Sequence, residues 1–273
     1  MLSNADQLAS FPVHVERGLV YATLDGIALA GDFYRPETMA AAPVVVAVHG
    51  GGWKLGSARF YQYWGPFLAA RGIALFAIDY RLVEDGRHRY PAAVDDVRAA
   101  VAFVRAQAPR LGIDAERIAL VGDSAGAHLA ALVALTDEPG IKAAVTVYGV
   151  YDLVAQWQHD LAARPHDQIT EIFMGISPLE DRLAYLAASP LSHVTRRRSR
   201  TAFLVAWGTA DDVVAWQTQS QPFVTALKQA GCFVRTVPIT DAPHFWMSDP
   251  LDDPYGYPAR LAPALLRFLQ ERL

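Results

Sequence analysis

Residues 122–126 read Gly-Asp-Ser-Ala-Gly, between the apolar runs RIALV and AHLAALVAL. A serine with a glycine two residues away on each side suits a sharp strand-to-helix turn, where side chains at those flanking positions would collide. Such a turn lifts the Ser124 hydroxyl clear of the backbone. It also aims the first amides of the following helix, Ala125 among them, at any oxygen that gains negative charge beside it. The pentapeptide arises by chance in roughly one chain of this length in ten, so its meaning depends on partners elsewhere.

A serine is a weak nucleophile until a base takes its proton. Of the eight histidines, His49 opens a glycine loop, His128 lies one helical turn past Ser124, and His244 alone sits on a loop before the last helix. His244 therefore completes the order serine, acid, histidine. The acid is expected in GTADD (208–212), after the apolar run TAFLVAWG, with Asp211 favoured over Asp212. A carboxylate there would fix the histidine tautomer and stabilise the imidazolium formed during attack. HGGGW (49–53) leaves amides unshielded after another apolar run, so Gly51 and Gly52 join Ala125 as donors to an oxyanion. No Gly-Lys-Ser/Thr follows that loop, which argues against a phosphate cradle. Trp53 and Trp246, flanking the two loops, are the candidate substrate contacts.

These pieces need a frame that brings distant loops together. VHVERGLVYA and IALAGDFYRP alternate as an antiparallel pair with one face in water. PVVVAV (43–48), IALFAIDY (73–80), RIALVG (117–122), IKAAVTVYG (141–149), TAFLVAWG (201–208) and FVRTVPI (233–239) read as strands, most of them buried on both faces. Helices are expected over 91–107, 124–136, 214–230 and 258–272, giving an α/β fold with a mostly parallel sheet covered on both sides. Sites in such sheets form beyond the carboxyl ends of the strands, where HGGGW, GDSAG, GTADD and DAPHFW (241–246) all fall. Residues 152–198 break the rhythm: they carry many apolar residues without a clear strand, which predicts a small helical insertion over those ends.

The chain has 273 residues, 52% hydrophobic and 19% charged, with a net charge of −4. That balance offers no basic field for nucleic acid or an anionic membrane. Cys232 is the single cysteine, so neither an intrachain disulfide nor a cysteine-based zinc cluster is available. The N-terminal stretch lacks the basic start and apolar core of a signal peptide, and no apolar run is long enough to span a bilayer; a cytoplasmic location is expected.

HGGGW, DYRL (79–82) with YPAAVDDV (90–97), and GDSAGAHLAAL (122–132) resemble the hormone-sensitive-lipase-like esterases of the α/β-hydrolase superfamily. The tryptophan after HGGG, YGVYD (148–152), MGISP and AASPLSHV lean toward the feruloyl-esterase-like and arylformamidase-like branch. The resemblance implies an α/β-hydrolase fold with a sheet of about eight strands, one domain over 1–273 and a helical cap near 152–198. It implies a cofactor-free and metal-free hydrolase with Ser124 as nucleophile, His244 as base and Asp211 as acid. Gly51, Gly52 and Ala125 would form the oxyanion hole, and His49 would shape the glycine loop without moving protons. The expected reaction is hydrolysis of small acyl or aryl carboxylic esters through an acyl-enzyme. Departures from the family's DYRLAPE and DPLRD patterns, at DYRLVEDGRHRYP and GTADDVV, leave an arylformamidase or amidase using the same triad as the alternative. A non-catalytic ligand-binding homologue is the third reading, and it predicts a broken triad. The expected partner is a small-molecule ester or amide, with no nucleic acid and no membrane, and with a homodimer as the assembly left open.

Overall fold

The computed structural model describes residues 10–136, 140–198 and 200–273. The N-terminal stretch read for an export signal therefore lies mostly outside the described residues. Two long strands, β1 (Val13–Leu24) and β2 (Ile27–Pro36), open the chain as an antiparallel pair. β1 forms one edge of the sheet, exposes Val15 and Val20, and shifts register twice, which twists that edge away from further pairing.

The parallel part follows: β3 (Ala42–Val48), β4 (Ala74–Ile78), β5 (Ile113–Asp123), β6 (Ile141–Val147), β7 (Ala202–Gly208) and β8 (Val234–Ile239). The sheet order is β1-β2-β4-β3-β5-β6-β7-β8, antiparallel from β1 to β4 and parallel from there on. This is the α/β-hydrolase arrangement expected from the sequence. Residues of one strand feed two cores because successive side chains face opposite ways. Val44, Val46 and Val48 enter one core, and Val45 and Ala47 enter the other.

The strand order reverses at β3, which pairs with β4 on one side and β5 on the other. A crevice opens beyond the carboxyl ends at such a reversal. HGGGW leaves β3 there, and GDSAG leaves β5.

Nine α-helices are assigned among the described residues. α1 (Trp64–Ala69) and α9 (Tyr257–Arg272) cover one face, while α2 (Ala92–Ala106), α4 (Ala125–Thr136) and α8 (Ser220–Gln229) cover the other. The short α3 (Ala108–Leu111) leads into β5. Every residue of α4 is buried, as its uniformly apolar sequence requires. α1 carries too short a pattern to stand out in the sequence. α8 starts at Ser220 rather than near 214, because Ala215 accepts turn hydrogen bonds from Thr218 and Gln219 before the helix begins.

Between β6 and β7 the chain forms α5 (Leu153–Ala163), α6 (Ile169–Met174) and α7 (Arg182–Ala188), followed by two 3-10 turns, with no strand among the described residues. Asp152 caps α5 by accepting the amides of Val154 and Ala155. Among the described residues, no helix is long and apolar enough to cross a membrane.

Candidate active site

β5 ends at Asp123, and Ser124 turns the chain into α4 with φ of +51°, a left-handed conformation that is costly for a non-glycine residue. The flanking glycines are sterically required. A Cβ on Gly122 would lie 2.3 Å from the Gly126 carbonyl oxygen, and a Cβ on Gly126 would lie 2.0 Å from that of Val48. The turn from β5 into α4 thus needs glycine at 122, and the close approach of α4 to β3 needs it at 126. Trp53, Tyr148 and Phe245, also just beyond strand ends, share the left-handed backbone. Strain gathers where the four loops converge.

His244 Nε2 lies 2.9 Å from Ser124 Oγ, and His244 Nδ1 lies 2.7 Å from Asp211 Oδ2. With Nδ1–H donating to the carboxylate, Nε2 is left to accept the serine proton. The other oxygen, Asp211 Oδ1, accepts the amides of Val213 at 3.0 Å and Val214 at 2.9 Å, so the carboxylate is fixed at both ends. Asp212 is exposed, and its backbone carbonyl meets His159 Nε2 at 3.1 Å. Of the two acids, the structure brings Asp211 against His244.

The glycine loop is tightly wound. Gly51 and Gly52 have φ of +116° and +58°, and a Cβ on Gly51 would strike the Leu55 carbonyl oxygen at 2.0 Å. Lys54 and Leu55 amides both donate to the Gly51 carbonyl at 3.1 Å. Among the described residues, the amides of Gly51, Gly52 and Ala125 have no protein acceptor, as donors reserved for a substrate oxygen require.

Burial separates His49 and His128 from proton transfer. His49 stacks on Tyr80 with ring centroids 4.3 Å apart, and its Nδ1 meets the Gly50 carbonyl at 2.7 Å. His128 Nδ1 accepts from Trp53 Nε1 at 3.2 Å, and its Nε2 donates to the Ala188 carbonyl at 2.8 Å. Burial holds both imidazoles down to about 4, so each stays neutral at physiological pH.

The sequence reading assigned no role to Asp123, although it lies inside GDSAG. Its Oδ1 accepts the Gly50 amide at 3.1 Å and the Tyr61 hydroxyl at 3.0 Å, and its Oδ2 accepts the Tyr148 hydroxyl at 3.4 Å. Tyr148 in turn accepts the Met247 amide at 3.0 Å, and its ring centroid lies 4.5 Å from that of His244. One buried carboxylate thus ties together the glycine loop, the serine turn and the histidine loop. Burial pushes its carboxyl up to about 6, against the opposing effect of these donors. The available signal was an acidic residue closing the buried apolar run IALVG, a position where a carboxylate must be paired.

The two tryptophans require a correction. Trp53 is 0% exposed and stacks on Phe173, with centroids 4.4 Å apart. Trp246 is 1% exposed, packed edge-on to Tyr148 and against Tyr257. Neither offers a face to substrate, because both rings turn into the core beneath their loops. The exposed aromatic side chain beside the triad is Phe245, whose ring meets that of His244 edge-on at 4.3 Å. Among the described residues, no group of three or more His, Cys, Asp or Glu side chains is placed to hold a metal ion.

The eight-stranded sheet, the glycine-flanked serine at its strand reversal and the hydrogen-bonded histidine and acid define an α/β-hydrolase. The BD-FAE family profile matches residues 32–227, and the chain belongs to that family. It is similar to the esterase LipC of Mycobacterium tuberculosis, 33% identical over 217 residues that cover 72% of this chain and 51% of LipC. It is also similar to the carboxylesterase NlhH of the same organism, 41% identical over 106 residues, 37% of this chain and 32% of NlhH. The chain spans about half the length of the curated relatives it matches over most of its own length. Among solved structures, esterase 2 of Thermogutta terrifontis superposes with a TM-score of 0.75 at 26% identity, covering 97% of this chain and 93% of that one. The same esterase phosphorylated by paraoxon superposes with a TM-score of 0.75.

Proposed function

We propose that this protein is a serine carboxylesterase that hydrolyses small acyl or aryl esters through an acyl-enzyme. The observation that carries this reading is the hydrogen-bonded chain Ser124 Oγ, His244 Nε2, His244 Nδ1, Asp211 Oδ2, at 2.9 Å and 2.7 Å, beside three amides without protein acceptors among the described residues. Likeness to proteins described as esterases supports it.

In this mechanism Ser124 Oγ attacks the acyl carbon while its proton passes to His244 Nε2. The carbonyl oxygen becomes an oxyanion that accepts hydrogen bonds from Gly51, Gly52 and Ala125. Collapse breaks the acyl–oxygen bond, and the leaving alkoxide takes the proton from His244. Water then loses a proton to Nε2 and attacks the acyl-enzyme, and Ser124 regains its proton as the acid departs. Asp211 keeps its charge throughout and stabilises the transient imidazolium.

The helices between β6 and β7 act in this reading as a cap, within one domain. Three contacts support that role. Lys54, just after the glycine loop, pairs with Asp167 at 2.9 Å. Phe173 of α6 stacks on Trp53, and Ile169 Cγ2 lies 4.0 Å from where a Cβ would sit on Gly52. Ser124 and His244 are only 6% and 5% exposed, which suits small acyl groups.

The test is kcat/KM for an aryl acetate against the matching N-formyl aryl amine, with Ser124→Ala as control. Preference for the acetate is expected. Preference for the formamide would replace the esterase with an amide hydrolase using the same triad, and equal turnover by Ser124→Ala would sink both.

A further inference from the structure

The loop that carries Asp211 is held from outside as well as from within. α5 and the residue that ends it present donors from 156, 159 and 164 to two successive carbonyls just past Asp211. Gln156 Nε2 donates to the Val213 carbonyl at 3.0 Å, Arg164 Nη2 donates to the same oxygen at 3.4 Å, and His159 Nε2 donates to the Asp212 carbonyl at 3.1 Å. The spacing brings these side chains to one side of the helix. Asp160 orients two of them: its Oδ1 accepts from Gln156 Nε2 at 2.9 Å and from Arg164 Nη2.

Val213 is therefore gripped on both of its backbone groups. Its amide donates to Asp211 Oδ1, and its carbonyl is taken by α5. Gln219, farther along the same loop, ties back to the start of α5. Its Oε1 accepts the amides of Tyr151 at 2.7 Å and Asp152 at 2.9 Å, and its Nε2 donates to the Asp152 carbonyl at 2.9 Å.

Gln156 and Asp160 are fully buried, and Gln156 Oε1, Asp160 Oδ2 and Arg164 Nε have no partner among the described residues. A buried ionic cluster with unsatisfied atoms is a poor way to hold a helix in place, since apolar side chains of similar volume commonly stabilise as well or better. The cluster's distinctive product is the fixed position of the Val213 carbonyl.

We propose that Gln156, Asp160 and Arg164 are positioning residues that clasp the acid loop and set Asp211 against His244. The helices between β6 and β7 would then contribute to the triad as well as cover it. The inference rests on the triad reading above, and the experiment separates the two.

Gln156→Met keeps the length of the side chain and removes both donated hydrogen bonds. Its kcat on an activated aryl acetate is expected to fall about ten- to hundredfold, the cost of slight misplacement at a reacting centre, with KM within about twofold. The far-downfield proton NMR resonance of His244 Nδ1–H is expected to shift or broaden, which packing damage remote from the triad would not cause. In an Asp211→Asn background, Gln156→Met should cost nothing further, because the pathway it acts through is already broken. An equal loss in both backgrounds, or an unchanged kcat with the resonance intact, would overturn the clasp and leave the triad standing. Full activity in Asp211→Asn alone would overturn the triad reading and the clasp with it. Should Gln156→Met fail to fold, the pair His159→Ala and Arg164→Lys, both partly exposed, enters the same cycle with the same outcomes.

Discussion

The turn that holds Ser124 and the turn that holds Asp211 achieve rigidity in different ways. Around the serine, the restraint is backbone sterics: Gly122 lets β5 meet α4 and Gly126 lets α4 lie against β3, at distances that no Cβ tolerates, and Ser124 between them has a left-handed φ. Around the acid, the nearest restraints are two amides within three residues, and the rest come from far away in sequence: Gln156 and His159 on α5 and Arg164 at its end. A nucleophile whose position is set by backbone sterics leaves a motif in the sequence. An acid positioned by side chains from an insertion leaves almost none.

The contrast can be broken most directly at the reacting atoms. Ser124→Ala should lower kcat by on the order of 10⁵ to 10⁶ with the fold intact, measured on an aryl acetate with circular dichroism as control. Residual activity near the wild-type level would remove the serine turn from the chemistry. Asp211→Asn is expected to cost about 10⁴ in kcat through the wrong histidine tautomer, while Asp212→Asn stays within about twofold. Reversed sizes for that pair would mean that the acid loop rearranges.

Gly126→Ala sharpens the steric half of the comparison. The added methyl meets the backbone oxygens of Val48 and His49 at 2.0 and 2.6 Å, neither of which can swing aside. A loss of about 3 kcal/mol is expected, roughly 10 °C in Tm by calorimetry. Gly18→Ala, with nothing within 4 Å but a φ of +65°, should lose only about 1 kcal/mol. Similar losses at the two positions would show that the elbow relaxes.

The remaining comparison concerns pH. His49 and His128 are depressed to about 4, so between that value and about 6.5 the unfolded chain binds protons that the folded chain refuses, and stability falls as pH drops through that window. Asp123, raised to about 6, works in the opposite sense: the folded chain is protonated where the unfolded chain is not, so its burial cost is relieved on acidification. Two groups outweigh one, and Tm should be lower at pH 5 than at pH 7. Asp123→Asn removes the opposing contribution, so its Tm should fall more steeply over the same interval. A slope shallower than that of the wild type would refute this account of Asp123.

Much of the frame was legible because burial writes itself into composition. Strands covered on both faces need unbroken apolar runs, so β3, β4 and β7 read directly from PVVVAV, IALFAIDY and TAFLVAWG. The edge strand β1 departs from the alternation read in its sequence: Val15 and Val20 are exposed and only Tyr21 is buried, because two register shifts break the pleat. The true start of α8 was less visible, since the turn before it is built around Ala215 and its loop is anchored by a long-range contact from Gln219 to Asp152.

For the site, the sequence by itself determined which residue types stand at the strand ends: the glycine-flanked Ser124, the glycines at 50–52, the acidic pair after β7 and His244 after β8. Those choices follow from local sterics and chain order. Only the tertiary structure decided that Asp211 rather than Asp212 meets His244, that Trp53 and Trp246 turn inward, and that Asp123 joins three loops from below. Each of these depends on which distant side chain arrives with a matching donor, acceptor or flat face once the sheet has closed, and no spacing along the chain encodes that arrival.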